Sequence, residues 1–338
     1  MKLRLLLILT FTVLFGTVAN AQDPQFSQFY ANPVVLNPAF TGAADGPRVA
    51  LNFRNQWPRI PNTFRTIAVA ADAPFFFGST SRYPRHGLGV SVIGDQAGAG
   101  VLQKIDATFN YSFLIPLGRD YDHNIRMGVA GGIQQASIDF FRLRFPDQFG
   151  PDGSIDPTSA ELIANNLGDN GSRIHEQINA GLLYYNKIFY AGVSAFNITQ
   201  PNQEFIGTGT AGESELPLRV QAYTGVDIPL NAQKPDGPSI SPAFMYRWQQ
   251  PFSQIDLGMY VNLDPIVIGT WYRFDDAVIF LVGLRRGMFS FGYSYDYTIS
   301  DLQNSTSGGA HEVSLVLEFE GPRRKGKKPS AKMSCPRF

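Results

Sequence analysis

"MFSFGYSYDY", residues 288–297, is the stretch from which the fold can be read. In an extended chain Phe289, Phe291, Tyr293, Tyr295 and Tyr297 share one face, while Ser290, Gly292, Ser294 and Asp296 share the other. A row of aromatics opposite small and polar residues suits a wall with lipid on one side and a wet lumen on the other. "KIDATFNYSFLI", residues 104–115, repeats the arrangement: Ile105, Ala107, Phe109, Tyr111, Phe113 and Ile115 oppose Asp106, Thr108, Asn110 and Ser112. Weaker versions lie at Ile178–Tyr184, Ile255–Leu263 and Val313–Phe319. A soluble β-sandwich also alternates, but it does not ordinarily carry rows of aromatics at its strand ends.

Working outward, segments of period 2 bounded by Gly, Pro, Asn or Asp are Arg48–Asn55, Arg65–Ala73, Gly87–Asp95, Leu102–Ile115, Asn124–Ile138, Ile174–Tyr185 and Ile188–Asn197. The series continues with Arg219–Ile228, Ser239–Trp248, Gln254–Leu263, Pro265–Phe274, Ala277–Leu284, Met288–Tyr297 and His311–Phe319. The expectation is an all-β, transmembrane outer-membrane β-barrel of about 14 antiparallel strands, an even number as single-chain bacterial barrels have. With the barrel's ends in the periplasm, the long connections ending at Arg173 and Leu216 face outward. Tyr185-Asn186-Lys187, Asp264-Pro265 and Arg286-Gly287 make tight inward turns. The inward connection from Pro74 to Arg85 is longer than that rule expects.

Composition supports export to such a membrane. Lys2 and Arg4 precede an apolar run from Leu5 to Val18, and Ala19-Asn20-Ala21 offers a small-x-small cleavage site. Residues 1–21 therefore read as a signal peptide, cleaved near Ala21/Gln22, and no cysteine sits just after the cut. Beyond it no apolar stretch approaches the roughly 18 residues of a transmembrane helix. The chain is 44% apolar and 13% aromatic but only 17% charged, against about 25% charged in ordinary soluble domains. The expected division is 22–46 as an N-terminal periplasmic hatch or plug segment, 47–320 as the barrel, and 321–338 as a basic periplasmic tail. Net charge is zero, yet seven basic residues lie beyond Glu320 with no acid among them, which leaves the barrel portion acidic. In that compartment nucleic acid is excluded as a partner.

Catalytic chemistry is sparse. His86, His123, His175 and His311 form no HExxH and no Cys/His metal spacing, and read as interfacial polar residues. No GxSxG elbow, P-loop or dinucleotide fingerprint is present, so no enzyme and no cofactor is expected. "GLGVSVIGDQAGAG" lacks the helix that would let its amides cradle phosphate, and its glycines read as relief of crowding in a barrel wall. In the long outer loop Thr158 and Glu161 form a capping box for a short helix through Asn166. Asp147, Asp152, Asp156 and Asp169 there lack a calcium-loop spacing and read as a solvated loop. Cys335 is the only cysteine, so no internal disulfide forms.

"DPQFSQFYANPVVLNPAFTG", "RNQW" (Arg54 to Trp57), "GVSVIGDQAGAG", "FSFGYSYDYTISDL", "GGAHEVSLVLEF" and the terminal "CPRF" together resemble the PorP/SprF family of outer-membrane proteins of the type IX secretion system. The likeness runs from Asp23 to Phe338. It implies a barrel in outer-membrane lipid that works with periplasmic ring and lipoprotein subunits of that machine, and with secreted surface-protein cargo, in some bacteria gliding adhesins. Core-subunit and cargo-specific accessory roles are equally compatible with it.

The opening segment carries the candidate contact residues. Asp23 suits an N-cap and Pro24 a first helical position, and Phe26, Phe29 and Tyr30 then share a face of a two-turn amphipathic helix that Asn32-Pro33 stops. Asn37 and Pro38 begin a second short turn through Phe40 that Gly42 ends. These aromatics are expected to cover the periplasmic rim, to plug part of the lumen, or to meet a partner. Tail contacts are expected at Arg323, Arg324, Lys325, Lys327, Lys328, Cys335, Pro336, Arg337 and Phe338. Three functional readings follow: a non-enzymatic secretion component, a porin or fatty-acid-transporter-like channel suggested by "LNPAFTG", and a hydrolase, which the missing nucleophile arrangement disfavours.

Overall fold

The computed structural model describes residues 25–60, 63–76, 85–98, 102–117, 122–139, 143, 148–149, 171–203, 215–231, 233, 237–300 and 304–321. Its strands are β1 (Arg48–Gln56), β2 (Phe64–Phe75), β3 (His86–Ala97), β4 (Leu102–Leu117), β5 (His123–Ile138), β6 (Ser172–Tyr185), β7 (Phe189–Phe196) and β8 (Arg219–Val226). They continue as β9 (Ile228–Pro229), β10 (Ser239–Gln249), β11 (Phe252–Asn262), β12 (Ile266–Arg273), β13 (Ala277–Arg286), β14 (Phe289–Thr298) and β15 (Ala310–Glu318). All pairings are antiparallel between sequence neighbours, and β1 also pairs with β15, with Arg48 opposite Glu318 and Gln56 opposite Ala310. The sheet therefore closes. β8 and β9 are two pieces of one stave: both keep the same register on β10, and the break falls at Asp227, beside Pro242 of β10, which has no N–H to donate. Fourteen staves result, and closure leaves no sheet edge unsatisfied in lipid.

The alternation seen in sequence is realised as an inside and an outside. Along β14 the residues Ser290, Gly292, Ser294, Asp296 and Thr298 are buried, while Phe289, Phe291 and Tyr297 are exposed. Phe109, Val129, Ile133 and Phe280 on other staves are more than half exposed, as an apolar outer band requires. Three histidines, His86, His123 and His311, bond Tyr111, Tyr184 and Tyr293 on neighbouring staves through Nδ1 at 2.6–2.8 Å. Among the described residues no helix is long and apolar enough to cross a membrane; the crossing elements are strands.

One end of the barrel carries the β5–β6 and β7–β8 connections, and is called the loop end below. The turn end carries the short turns after β6, β11 and β13, the start of β1 and the finish of β15. There Asn186 Oδ1 accepts the N–H groups of Ile188 and Phe189 at 2.8 and 2.7 Å, a side-chain-closed turn. Gly287, between β13 and β14, takes φ +63°, which the turn needs and glycine allows.

Inside the barrel lies the segment Gln25–Gly42. The helix expected to start at Asp23 is not what forms: among the described residues there is a 3-10 turn at Phe29–Ala31, followed by the four-residue helix α1 (Pro33–Leu36). Asn32-Pro33 begins that helix instead of stopping one, because proline at a first helical position costs no hydrogen bond. A second 3-10 turn follows at Pro38–Phe40, with Asn37 Oδ1 accepting the Ala39 N–H at 2.8 Å and Gly42 at φ +63°. The segment does not merely cover one mouth. It descends from the loop-end half of the lumen to the turn end, where Gly42 passes Gly87 and Asp72 before β1 begins.

Candidate functional site: the plugged lumen

The wall contributes charges at inward register positions of six staves. Arg247 (β10) pairs with Asp256 (β11) at 2.9 Å, and Asp256 with Arg273 (β12) at 3.3 Å. Arg273 reaches past β13 to Asp296 (β14) at 3.3 Å, Asp296 pairs with Arg54 (β1) at 2.8 Å, and Arg54 meets Glu312 (β15) at 3.4 Å. Three cations and three anions are thus chained together with side-chain exposures of 6% or less. Burying so many charges is tolerable only if each is matched and its remaining hydrogen-bonding capacity is used.

Gln25–Gln28 supply much of that use. The Ser27 hydroxyl donates to Asp296 Oδ2 at 2.6 Å and accepts from Arg54 Nη1 at 2.7 Å and Arg273 Nη2 at 3.3 Å. Glu312 accepts the backbone N–H groups of Ser27 and Gln28 at 2.7 and 3.1 Å. The Gln28 carboxamide donates to the Glu312 carbonyl at 2.9 Å and accepts from the Ser314 hydroxyl at 2.7 Å. Gln25 Oε1 accepts from Arg247 at 3.0 Å. The segment and the wall are therefore one network, pinned on the side formed by β10–β12, β14, β15 and β1.

Below the charges lies an aromatic layer. Phe29 meets Trp271 edge-on at 4.9 Å between centroids, and Tyr30 is surrounded by Tyr190, Tyr223, Tyr260 and Trp271 at 5.8–6.4 Å. The Tyr190 hydroxyl donates to the Tyr30 hydroxyl at 3.0 Å. Four inward aromatics of the wall each lie across a glycine on the next stave: Tyr190 opposite Gly225, Tyr223 opposite Gly192, Tyr260 opposite Gly269 and Trp271 opposite Gly258. A β-carbon at any of these glycines would collide with the ring.

At the turn end the segment and the wall bond each other's backbone. Asn37 Nδ2 donates to the carbonyls of Leu182 and Val193 and to the Tyr223 hydroxyl, at 2.8–3.3 Å. Arg126 and Ser112 donate to the Thr41 carbonyl, and Asp72, which is paired with Arg48, accepts the Gly42 N–H at 2.7 Å. Glycines make room for this approach. A β-carbon at Gly87 would strike the Thr41 carbonyl, at Gly128 the Pro38–Ala39 peptide, and at Gly181 the Asn37 side chain.

Of the residues expected to form the hatch, Phe26, Phe29, Tyr30, Asn37, Pro38 and Phe40 are all buried in the lumen. Asp23, Pro24 and the whole tail set from Arg323 to Phe338 lie outside the described residues, as do the loop aspartates and the Thr158–Glu161 pair. Sequence reasoning missed Ser27, Gln28, Arg54, Asp72, Arg126, Arg247, Asp256, Arg273 and the pairing of Asp296 and Glu312 with Arg54. The available signal was a charged residue on the small-residue face of an aromatic-rich strand. Among the described residues no group of three or more His, Cys, Asp or Glu is placed to hold a metal ion.

A closed fourteen-stave barrel with an apolar outer band and a charge-lined, self-plugged lumen is an outer-membrane β-barrel protein. Its sequence matches the family described as type IX secretion system membrane protein PorP/SprF over residues 18–317. The chain belongs to that family. A comparison with curated proteins finds no match. Similar solved structures include Omp33 of Acinetobacter baumannii (TM-score 0.43, 7% identity, covering 82% of this chain and 100% of that one). Others are the CymD monoaromatic hydrocarbon channel (0.43, 10%, 87% and 94%) and the translocator domain of the Neisseria meningitidis autotransporter NalP (0.40, 12%, 87% and 100%). Likeness at this level carries nothing about activity.

Proposed function

We propose that this chain is a non-enzymatic, plugged scaffold of the type IX secretion system. In this reading its outer loops hold exported surface proteins, gliding adhesins among them, and its periplasmic tail, with the turn end, docks ring and lipoprotein subunits. The observation that carries the reading is the occupied lumen. Gln25–Gly42 fill it from the charge network to the turn end, which disfavours a permanently open porin and leaves the loop and turn ends as working surfaces. A polar, charge-balanced interior also disfavours a path for hydrophobic substrates. Deleting the gene tests this: the expected result is loss of a surface-displayed protein with unchanged uptake of small solutes. Intact display with lost uptake would overturn it. Co-purification with and without Arg323–Phe338 tests the tail, and undiminished recovery of periplasmic partners would count against its role.

A further inference from the structure

In the loop-end half of the lumen the plug is pinned to the side formed by β10–β12, β14, β15 and β1, and the opposite wall stands away from it there. Between plug residues Phe26–Pro38 and the inner faces of β3, β4, β6 and β8 lies a cleft in two joined lobes. Both lobes share Val35, Ile93, Asp106, Gln177 and Arg219. Gln177 and Asp106 sit in the loop-end parts of their strands and Arg219 begins β8 at that end, so the cleft lies towards the loops.

We propose that this cleft binds a short extended peptide segment entering from the loop end, with an aliphatic side chain seated among Val35, Leu36 and Ile93. The lumen already shows how it recognises peptide. Carboxamides, hydroxyls and carboxylates of the wall and plug bond main-chain groups, as Asn37, Ser112, Asp72 and Glu312 do. The cleft side carries the same side-chain types at Ser91, Thr108, Asn110, Gln177, Asn179 and Gln221.

Two carboxamides have hydrogen-bonding capacity left over. Asn32, 2% exposed, lines the cleft, and neither its Nδ2 nor its Oδ1 has a partner. It stands at the N-cap of α1 without capping it. Gln177, 7% exposed, donates to Asn197 Oδ1 at 3.2 Å while its Oε1 is unmatched. A buried amide donor and acceptor side by side match one peptide unit, and leaving them unmatched is costly. The aromatics that line this cleft, Phe26, Phe29 and Phe196, are all buried, and the Arg219 guanidinium lies over the Phe196 ring; this favours peptide over a saccharide, which wants an open ring face.

The inference deepens the loop-end docking reading above, and its test is separate. Full-length protein in detergent micelles is offered a phage-displayed library of random twelve-residue peptides. Ile93→Trp, which fills the cleft, and Gln177→Leu, which removes the unmatched acceptor, serve as comparison targets. Heat-modifiable electrophoretic mobility confirms that each barrel is folded. Enriched peptides are expected to bind the native protein at least about tenfold more tightly than either variant. No enrichment, or equal binding to the filled barrel, would overturn the proposal and leave the cleft as a water-filled space. Surface display in a strain lacking the whole chain reports on the secretion role alone, so failure of one leaves the other readable.

Discussion

At the scale of single residues, Arg54 is the junction of the lumen. It meets Asp296, Glu312 and the Ser27 hydroxyl, and it lies in the "RNQW" stretch. Arg54→Met leaves two buried carboxylates short of a cation and is expected to cost about 3–5 kcal/mol. Urea unfolding of the barrel in detergent micelles measures it. Adding Glu312→Leu removes one of the stranded charges, so the double variant should recover part of the loss. Ser27→Ala removes one hydroxyl from three partners, and about 1–3 kcal/mol is expected in the same assay. These partnerships explain why separate motifs in the sequence belong together. "QFSQFY" brings Ser27 and Gln28, "FSFGYSYDY" brings Asp296, and "GGAHEVSLVLEF" brings Glu312 to one place. Period 2 assigned Asp296 and Glu312 to the inner face, but the pairing of residues 242–285 positions away in sequence is set by barrel closure, which local pattern does not encode.

Among elements, the strands were the legible part, and the plug the less legible. Strand edges moved by a residue or two, as from the expected Gly87–Asp95 to His86–Ala97, since lipid on one side and a plug on the other enforce the alternation. In the plug, tertiary contacts replace local preference. The aromatics at Phe26, Phe29 and Tyr30 suited a helix, but Phe29 packs on Trp271 and Tyr30 on Tyr190, Tyr223, Tyr260 and Trp271, which a tight 3-10 turn permits. The four inward aromatics were also readable in hindsight, as Tyr190 with Gly192, Tyr223 with Gly225, Gly258 with Tyr260, and Gly269 with Trp271, each two residues apart on one strand face. The glycines of the wall are part of the same fit. Gly128→Val would press on the Pro38–Ala39 peptide, and a cost of about 1–3 kcal/mol is expected. In a Cys335→Ser background, Thr41→Cys should be unreactive to a thiol fluorophore in the native barrel, where Thr41 is fully buried, and reactive once Gly128→Val displaces the plug.

For the whole molecule, an outer surface made for lipid and an inner surface made for the chain's own N-terminal segment divide the work of the sequence. The network of three arginines and three acids inside is neutral and belongs to the plug, so the acidic surplus noted in sequence lies outside it. The central claim is that this segment closes the barrel. Steady conductance in a planar lipid bilayer tests it most directly, comparing the intact protein with a variant lacking residues 25–42, each checked for folding by heat-modifiable mobility. The account predicts a silent intact protein and sustained conductance once the segment is removed. Sustained conductance of the intact protein, equal to that of the variant without the segment, would contradict it.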